Sequence, residues 1–134
     1  MLHPSLEKLK IVFQEFQEIE AVYLFGSMAA GTVRAESDID LAVYPGKESL
    51  RRKKIDILQR LANEGFCNVD LVFLNEKDIV LQYEAVRLNT IVYQRLEFDS
   101  GSFFSLIVRK YLDFLPYLQV QREAYKKRIL NGSV

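Results

Sequence analysis

The sequence predicts an α/β (α+β) fold: a small mixed sheet of about four strands flanked by helices, with a C-terminal helical tail. Short apolar runs of strand length alternate along the chain with longer segments whose apolar residues recur at helical spacing. The 134 residues suffice for one domain with its own core but not for two. We therefore expect a single domain over residues 1–134, with the helical tail starting near residue 100.

The N-terminal half predicts two helices with two strands between them. Apolar residues at helical spacing indicate an amphipathic first helix: Leu6, Leu9, Val12, Phe13 and Phe16. The apolar run at 21–25 predicts a strand, and so does the run at 38–43, which alternates before it becomes apolar. Tyr44-Pro45-Gly46 is expected to end the second strand. The next helix is expected to end at Gly65 and to bury one apolar face: Leu50, Ile57, Leu58 and Leu61.

The C-terminal half predicts a strand, a helix, a short strand and the tail. The third strand is expected from about Cys67 to Leu74. Asn75 is expected to cap the next helix, with Glu76 and Asp78 in its first turn, where acidic side chains are favourable. Residues 90–93 are expected to form a short fourth strand.

The tail from 102 to 129 is expected to be a long helix that Pro116 interrupts. Proline lacks an N–H and its ring opposes a carbonyl of the preceding turn, which costs about 3 kcal/mol in a helix interior, so we expect a kink or two helices. An apolar stripe runs along this tail: Phe103, Ile107, Tyr111, Phe114 and Leu118. Such a stripe is typical of a core face, but aromatic residues also anchor protein interfaces, and both interpretations stay open.

The composition restricts the classes of partner. Eighteen Lys and Arg residues balance 18 Asp and Glu residues, so no global field attracts nucleic acid or anionic lipid. The single cysteine, Cys67, cannot form an internal disulfide, and the first residues do not resemble a signal peptide. No segment approaches the roughly 20 apolar residues that span a bilayer. We expect a soluble, cytoplasmic protein whose partners include neither a membrane nor long nucleic acid.

A glycine–serine pair follows the first predicted strand. The apolar run stops abruptly at Gly26 and Ser27, as a buried strand does before a tight turn and a short helix. Glycine lets a phosphate approach the main chain closely, and the N–H groups of a helix start bind anions, to which the Ser27 hydroxyl can add a hydrogen bond. We therefore expect a phosphate-binding site at this turn.

Ten residues further on, an Asp-x-Asp sequence opens the second strand. Alternation along a strand places Asp38 and Asp40 on one face, and Asp70 joins them if the second and third strands are neighbours. Carboxylates held this close repel each other unless a cation or a proton neutralises them. Mg²⁺ prefers carboxylate and phosphate oxygens, and three acids on two strands can hold two such ions around a phosphoryl displacement.

The remaining candidates have simpler interpretations. The basic run at 51–54 stands near a helix start, where it fits a solvated face, or a contact with a partner's acid or with RNA. His3 lies in a terminus that is expected to fray, so a general-base role is not expected. Cys67 lacks companions for a metal site and is expected to be buried as a small apolar residue, while Glu36 is expected to face solvent from a loop.

The full pattern, Gly-Ser, ten residues, Asp-x-Asp and a later strand aspartate, resembles the nucleotidyltransferase superfamily that includes DNA polymerase beta and kanamycin nucleotidyltransferase. The short chain is similar to the minimal nucleotidyltransferases (MNT), the MntA-type antitoxins of HEPN–MNT toxin–antitoxin pairs. The matching residues span 23–73, and the resemblance of the rest concerns size alone. It implies a nucleotidyltransferase fold.

The resemblance also implies a role for each residue that matches the pattern. Gly26 and Ser27 would bind the triphosphate of ATP. Asp38 and Asp40 would bind Mg²⁺, and Asp70 would assist the metal or accept the proton of the acceptor. The catalytic and metal-binding set implied by the resemblance is therefore Asp38, Asp40 and Asp70.

The implied activity is transfer of AMP from ATP to a hydroxyl, expected to be a tyrosine, of a cognate HEPN-type toxin ribonuclease, which neutralises the toxin. A hetero-oligomer with that toxin is implied as well. This chain departs from the pattern at Ala30, where many relatives carry a basic residue, and Arg34 is the candidate that supplies the missing positive charge.

Two alternatives to this activity stay open. The acceptor could be a hydroxyl of a small molecule such as an aminoglycoside, although the chain is short for building an acceptor pocket alone. The chain could instead be a binding module that blocks a toxin without catalysis. The intact set of glycine, serine and aspartates favours an enzyme, whereas only a measurement of turnover distinguishes the two.

Overall fold

A computed structural model describes residues 7–26, 39–45, 52–74 and 77–130. Helices and strands follow one another in this order: α1 (Glu7–Phe13), β1 (Ile19–Phe25), β2 (Ile39–Pro45), α2 (Lys54–Asn63), β3 (Val69–Phe73), α3 (Ile79–Val86), β4 (Ile91–Gln94) and α4 (Ser100–Leu130). The predicted class, a four-stranded sheet with flanking helices and a helical tail, is confirmed.

The strands form one mixed sheet in the order β3-β2-β1-β4. The central strand β1 pairs antiparallel with β2 and with β4, whereas β2 and β3 are parallel. Because β2 and β3 run in the same direction, their first residues lie at the same end of the sheet, and the antiparallel β1 finishes there too. This end of the sheet therefore collects the end of β1 and the starts of β2 and β3.

Each face of the sheet is covered by helices. The first face packs against α1 and α2 in an apolar cluster that includes Leu9, Val22, Leu41, Ile57 and Leu61. The second face packs against α3 and the start of α4 in a cluster that includes Ala21, Tyr23, Ala42, Ala85 and Ile107. Successive strand residues alternate between these two faces, so neighbours in sequence can have unrelated surroundings.

The two ends of α2 show how local contacts fix a helix. Before its start, the Lys53 ammonium lies 2.8 Å from the Glu18 carboxylate, which offsets an unfavourable cation near the positive end of the helix dipole. At its end Gly65 has φ 99°, and the Phe66 N–H donates to the Leu61 carbonyl at 2.9 Å. This hydrogen bond is that of a Schellman motif. The prediction that Gly65 ends the helix is confirmed.

The cap of α3 differs from the prediction. Asp78, not Asn75, is the N-cap residue, and its side chain accepts a hydrogen bond from the Leu81 N–H at 3.1 Å. Asp78 thus precedes the first helical residue instead of standing in the first turn. Asn75 lies outside the described residues. Both residue types favour N-cap positions, so the sequence alone did not distinguish the two.

The tail forms a single helix, α4, with Pro116 inside it, so the alternative of two separate helices is wrong. Its first part packs on the second face through Phe103 and Ile107, and Tyr111 stacks on Tyr83 with ring centroids 3.8 Å apart. We call residues 112–130 the outer half of α4. The core interpretation is confirmed for Ile107, which is buried, while Phe114 and Leu118 of the predicted stripe are partly buried. The outer half also carries exposed apolar residues outside the stripe, among them Leu112, Tyr117, Val120, Tyr125 and Ile129.

Two further observations concern predictions made from composition. Cys67 is exposed just before β3, so its expected burial is wrong, and the neighbouring Phe66 is buried in its place. Within the described ranges, no helix is both long and apolar enough to cross a bilayer.

Candidate functional site

Two of the predicted acids lie side by side in the sheet. Asp40 on β2 and Asp70 on β3 are register partners in the parallel ladder. Register partners on adjacent strands direct their side chains to the same face, which here is the second face, shared with Ala42 and Val72. Asp70 is expected to join the site if its strand neighbours the second strand, and β3 does pair with β2.

The end of β1 lies on the other side of Asp40. Phe25 is the register partner of Asp40 in the antiparallel ladder, and Gly26 follows it directly. Asp40 is partly buried between its neighbouring strands, whereas Asp70 on the edge strand β3 is exposed. The structure therefore brings together three of the predicted site residues, Gly26, Asp40 and Asp70, at one open end of the sheet.

Gly26 is a position that requires glycine. Its φ is +76°, a conformation that side chains with a Cβ rarely adopt. A Cβ at this position would also collide with the Asp40 carboxylate, since it would lie against Oδ2 and only 3.0 Å from Cγ. The Asp40 carboxylate therefore lies directly against the main chain of Gly26. The same open main chain fits the close approach of a phosphate.

The other predicted site residues cannot be placed. Ser27, Arg34 and Asp38 lie outside the described residues, as does Glu36. Their parts in phosphate and metal binding therefore stay predictions. Asp38 is expected to share a face with Asp40 because side chains alternate along a strand. The described part of β2 shows this alternation, since Ile39 and Leu41 face the first cluster while Ala42 faces the second.

The two described acids, Asp40 and Asp70, offer the kind of ligand that a hard divalent cation prefers. No group of three or more His, Cys, Asp or Glu residues that could hold a metal ion occurs among the residues described. Asp40 and Asp70 supply two carboxylates on one face, and a third ligand would have to come from Asp38 or from a substrate. Mg²⁺ typically takes one or two protein carboxylates and completes its octahedron with phosphate oxygens and water. The donor chemistry is therefore that of a shared protein–nucleotide magnesium site.

The second face away from the acids is aromatic. Tyr44, two residues after Ala42 on β2, stacks on Phe103 of α4 with ring centroids 4.6 Å apart. Phe98 contacts both rings, at centroid distances of 5.8 Å and 5.6 Å. This aromatic group joins the sheet to the start of α4, four residues along β2 from Asp40. The helical tail is thus anchored on the face that carries Asp40.

Two buried polar groups on the second face were missed by sequence reasoning. The Tyr23 hydroxyl and Gln82 Oε1 are buried and have no hydrogen-bond partner among the described residues. Burial raises the pKa of Tyr23 to about 12, and the nearby Tyr44 phenol adds to the effect. The signal for Gln82 was present, since it lies three residues after Ile79 and four before Val86 on the inner side of α3.

A surface cavity in another part of the molecule is lined by no acidic residue of the described ranges. Between α1 and the edge strand β4 there is a surface cavity of about 320 Å³, lined by Lys10, Gln14 and residues 91–94. It lies beyond β1, on the side of the sheet away from β3. None of its lining residues is a predicted site residue. The acids at the starts of β2 and β3 remain the candidate site.

Comparisons with known proteins agree with this geometry. The family model described as polymerase beta, nucleotidyltransferase matches residues 7–98, which include all the predicted site residues. The protein adenylyltransferase MntA of Shewanella oneidensis is 28% identical over 116 residues, covering 87% of this chain and 80% of the relative.

Two solved structures add detail. One chain of a toxin–antitoxin complex crystallised with AMP-PNP is 26% identical and superimposes with a TM-score of 0.68, covering 92% of this chain and 96% of its own length. A mutant MntA toxin–antitoxin complex also contains a chain that is 26% identical, with a TM-score of 0.68 and coverages of 94% and 98%. Both matches extend beyond the family model, so they also cover much of α4.

Proposed function

The chain belongs to the polymerase beta nucleotidyltransferase family, and we propose that it is an antitoxin that adenylylates its toxin. It transfers AMP from ATP to a hydroxyl of a HEPN-type toxin ribonuclease, with a tyrosine as the expected acceptor, and so neutralises the toxin. The observation that carries this proposal is the pairing of Asp40 with Asp70 beside Gly26. The similarity to a protein adenylyltransferase and to a toxin–antitoxin complex with an ATP analogue supports it.

The carboxylates are assigned to metal binding. Asp38 and Asp40 would hold Mg²⁺, and Asp70 would add a ligand or accept the proton of the attacking hydroxyl. When bound, Mg²⁺ supplies positive charge to the triphosphate and favours the deprotonated acceptor. The register partnership of Asp40 with Asp70 supports this assignment, because two carboxylates on one face repel each other when no cation lies between them.

The turn after β1 is assigned to the phosphates. The β and γ phosphates are held by the main chain at Gly26 and by the N–H and hydroxyl of Ser27. Arg34 adds positive charge. The acceptor oxygen then attacks the α phosphorus, the bond from that phosphorus to the pyrophosphate oxygen breaks, and the acceptor proton leaves to Asp70 or to solvent. The protein contributes by positioning the reactants and by electrostatic stabilisation.

The partner is assigned from the same comparisons. The chain forms a hetero-oligomer with a HEPN-type toxin, since similar chains occur in toxin–antitoxin complexes. The balanced charge of the chain supports a protein acceptor over long nucleic acid. A cytoplasmic location, expected from the single cysteine, is part of this proposal.

The test is an acceptor assay read by intact mass. The purified chain is incubated with ATP, Mg²⁺ and a HEPN-type toxin, and both proteins are weighed by mass spectrometry. We expect the partner to gain whole AMP units, and we expect the gain to be lost with the double variant Asp38→Asn/Asp40→Asn. Peptide mapping then identifies the modified side chain.

The other outcomes decide between the alternatives. A partner of unchanged mass that co-purifies and is still neutralised contradicts the enzymatic proposal and favours a binding module. A chain that neither binds nor modifies the partner, but releases pyrophosphate with a small-molecule hydroxyl, indicates the small-molecule transferase. Full protection of cells by the double variant would show that catalysis is not the mechanism.

A further inference from the structure

We propose that Gly26 is a positioning residue for Asp40: the absence of a side chain at position 26 lets the Asp40 carboxylate lie against the main chain and face Asp70. The catalytic consequence rests on the proposed function, whereas the packing itself does not. This role is separate from the phosphate contact that the sequence pattern assigns to Gly26, because it acts through another residue of the chain. It makes Gly26 and Asp40 one structural unit.

The geometry at Gly26 is specific to the Asp40 side chain. The three nearest atoms that a Cβ on Gly26 would meet all belong to Asp40: Oδ2, Cγ at 3.0 Å and Cβ at 3.3 Å. The approach to Oδ2 is far closer than van der Waals contact allows, and those to Cγ and Cβ are tighter than ordinary contact. Any residue other than glycine therefore forces the Asp40 carboxylate to turn away or pushes β1 from β2.

The surroundings of Asp40 limit where its carboxylate can go. Phe25 pairs with Asp40 on one side and Asp70 pairs with it on the other. A carboxylate turned away from Gly26 moves toward the exposed Asp70, whose charge repels it, or out toward solvent. Either movement changes the distance between two groups that must bind one cation together. Metal affinity therefore depends on position 26.

A positive φ alone would also explain a glycine, so the test separates strain from collision. The Gly65→Ala variant is the matched control, since Gly65 is exposed and has φ +99° at the end of α2. Alanine meets unfavourable backbone conformation at both positions, but it meets the Asp40 carboxylate only at position 26. Comparing the two variants removes the contribution of the backbone.

The first experiment is a double-mutant cycle on stability. Gly26→Ala is made in the natural chain and in an Asp40→Ala background, and the urea midpoint of unfolding is measured without nucleotide or added metal. We expect Gly26→Ala to lower the midpoint clearly in the natural chain and much less beside Asp40→Ala, where Oδ2 and Cγ are gone. Equal losses in both backgrounds would contradict the proposal. Where Gly26→Ala does not fold, recovery of folding by Asp40→Ala supports it, and failure in both backgrounds contradicts it.

The second experiment measures Mn²⁺ binding by electron paramagnetic resonance, with Mn²⁺ as the probe of the divalent-cation site. We expect Gly26→Ala to weaken Mn²⁺ binding about tenfold or more, as loss of ligand orientation does, while Gly65→Ala leaves it unchanged. Unchanged binding in Gly26→Ala would contradict the proposal. If the double-mutant cycle shows strong coupling but the natural chain transfers no AMP, the proposed function is rejected. The packing of Gly26 on Asp40 is then still supported.

Discussion

The two faces of the sheet differ in kind, although they share the same strands. The first face is covered by α1 and α2 and its cluster consists of buried apolar residues. The second face is covered by α3 and α4 and carries the acidic end. It also holds two buried polar atoms, the Tyr23 hydroxyl and Gln82 Oε1, that lack a hydrogen-bond partner among the described residues. A face filled with apolar side chains contributes mainly stability, whereas unpaired polar groups and close carboxylates cost stability and indicate function.

Neighbouring residues on β2 illustrate this difference. Leu41 is fully buried on the first face, and Asp40 faces the second beside Asp70. The two residues are one peptide bond apart, yet we assign one to the core and the other to chemistry. Changing each in turn is therefore the most direct way to separate the two faces.

The largest effect is expected from Asp40→Asn. The amide removes a charged metal ligand. Mutating even a residue that only supports a metal ligand lowers metal affinity or activity 10- to 100-fold, so we expect AMP transfer to fall by at least about a hundredfold. Initial rates with labelled ATP measure the transfer. Transfer within a few-fold of the natural chain would remove Asp40 from the mechanism.

The next effect is expected from Leu41→Ala. Leu41 is fully buried in the first cluster, and truncating a buried leucine to alanine costs roughly 2–5 kcal/mol of unfolding free energy. The fraction of the chain that remains folded is expected to keep its rate of AMP transfer. Urea unfolding gives the first quantity, and rates normalised to folded protein give the second. A stable but inactive Leu41→Ala protein would contradict the separation of the two faces.

A smaller effect of opposite sign is expected from Tyr23→Phe. The Tyr23 hydroxyl is buried without a hydrogen-bond partner among the described residues, and burying such a hydroxyl costs roughly 1–3 kcal/mol in protein mutants. We therefore expect Tyr23→Phe to raise the free energy of unfolding by about 1 kcal/mol. Thermal and urea unfolding test it at neutral pH. A loss of stability would mean that the hydroxyl does have a partner.

The same hydroxyl gives a second readout at high pH. Burial raises the pKa of Tyr23 to about 12 in the folded chain, so the folded state keeps its phenol proton above pH 10 while the unfolded chain releases it. The stability associated with Tyr23 is thus complete below the unfolded pKa and is lost as the pH rises toward 12. Tyr23→Phe is expected to lose less stability over this range, as unfolding midpoints at a series of pH values would show. Parallel curves would contradict the assignment.

The smallest effect is expected from Asp78→Ala at the start of α3. The carboxylate accepts the Leu81 N–H, and loss of such a cap costs about 1 kcal/mol. Because Asp78 is not one of the predicted site residues, AMP transfer per folded molecule is expected to stay unchanged. Asp78→Asn is the matched control, since asparagine caps equally well. Equal losses in both variants would show that the hydrogen bond is not the cause.

Much of this architecture could be predicted from the sequence because it depends on local patterns. The apolar runs predicted the strands, and the end of α2 at Gly65 followed from the tolerance of glycine for positive φ. The alternation on β2 predicted that Asp40 faces away from Ile39 and Leu41. These features need no knowledge of what packs against each element.

The remainder depended on contacts that are distant in sequence. The pairing of Asp40 with Asp70 required β2 and β3 to be parallel neighbours, which the sequence allowed but did not require. Within α4, Ile107 is buried whereas Phe114 and Leu118 of the same stripe are only partly buried, and the sequence pattern does not change between them. The contact between Gly26 and Asp40 likewise becomes visible only when the strands are placed side by side.

The central claim is that the acidic end of the second face transfers the adenylyl group of ATP to a protein. It is tested most directly by offering the chain, Mg²⁺ and the HEPN-type partner ATP labelled either at the α or at the γ phosphate. Our account predicts label on the partner from α-labelled ATP alone, and none with Asp38→Asn/Asp40→Asn. Label from γ-labelled ATP, or no label on a partner that is nevertheless neutralised, would contradict it.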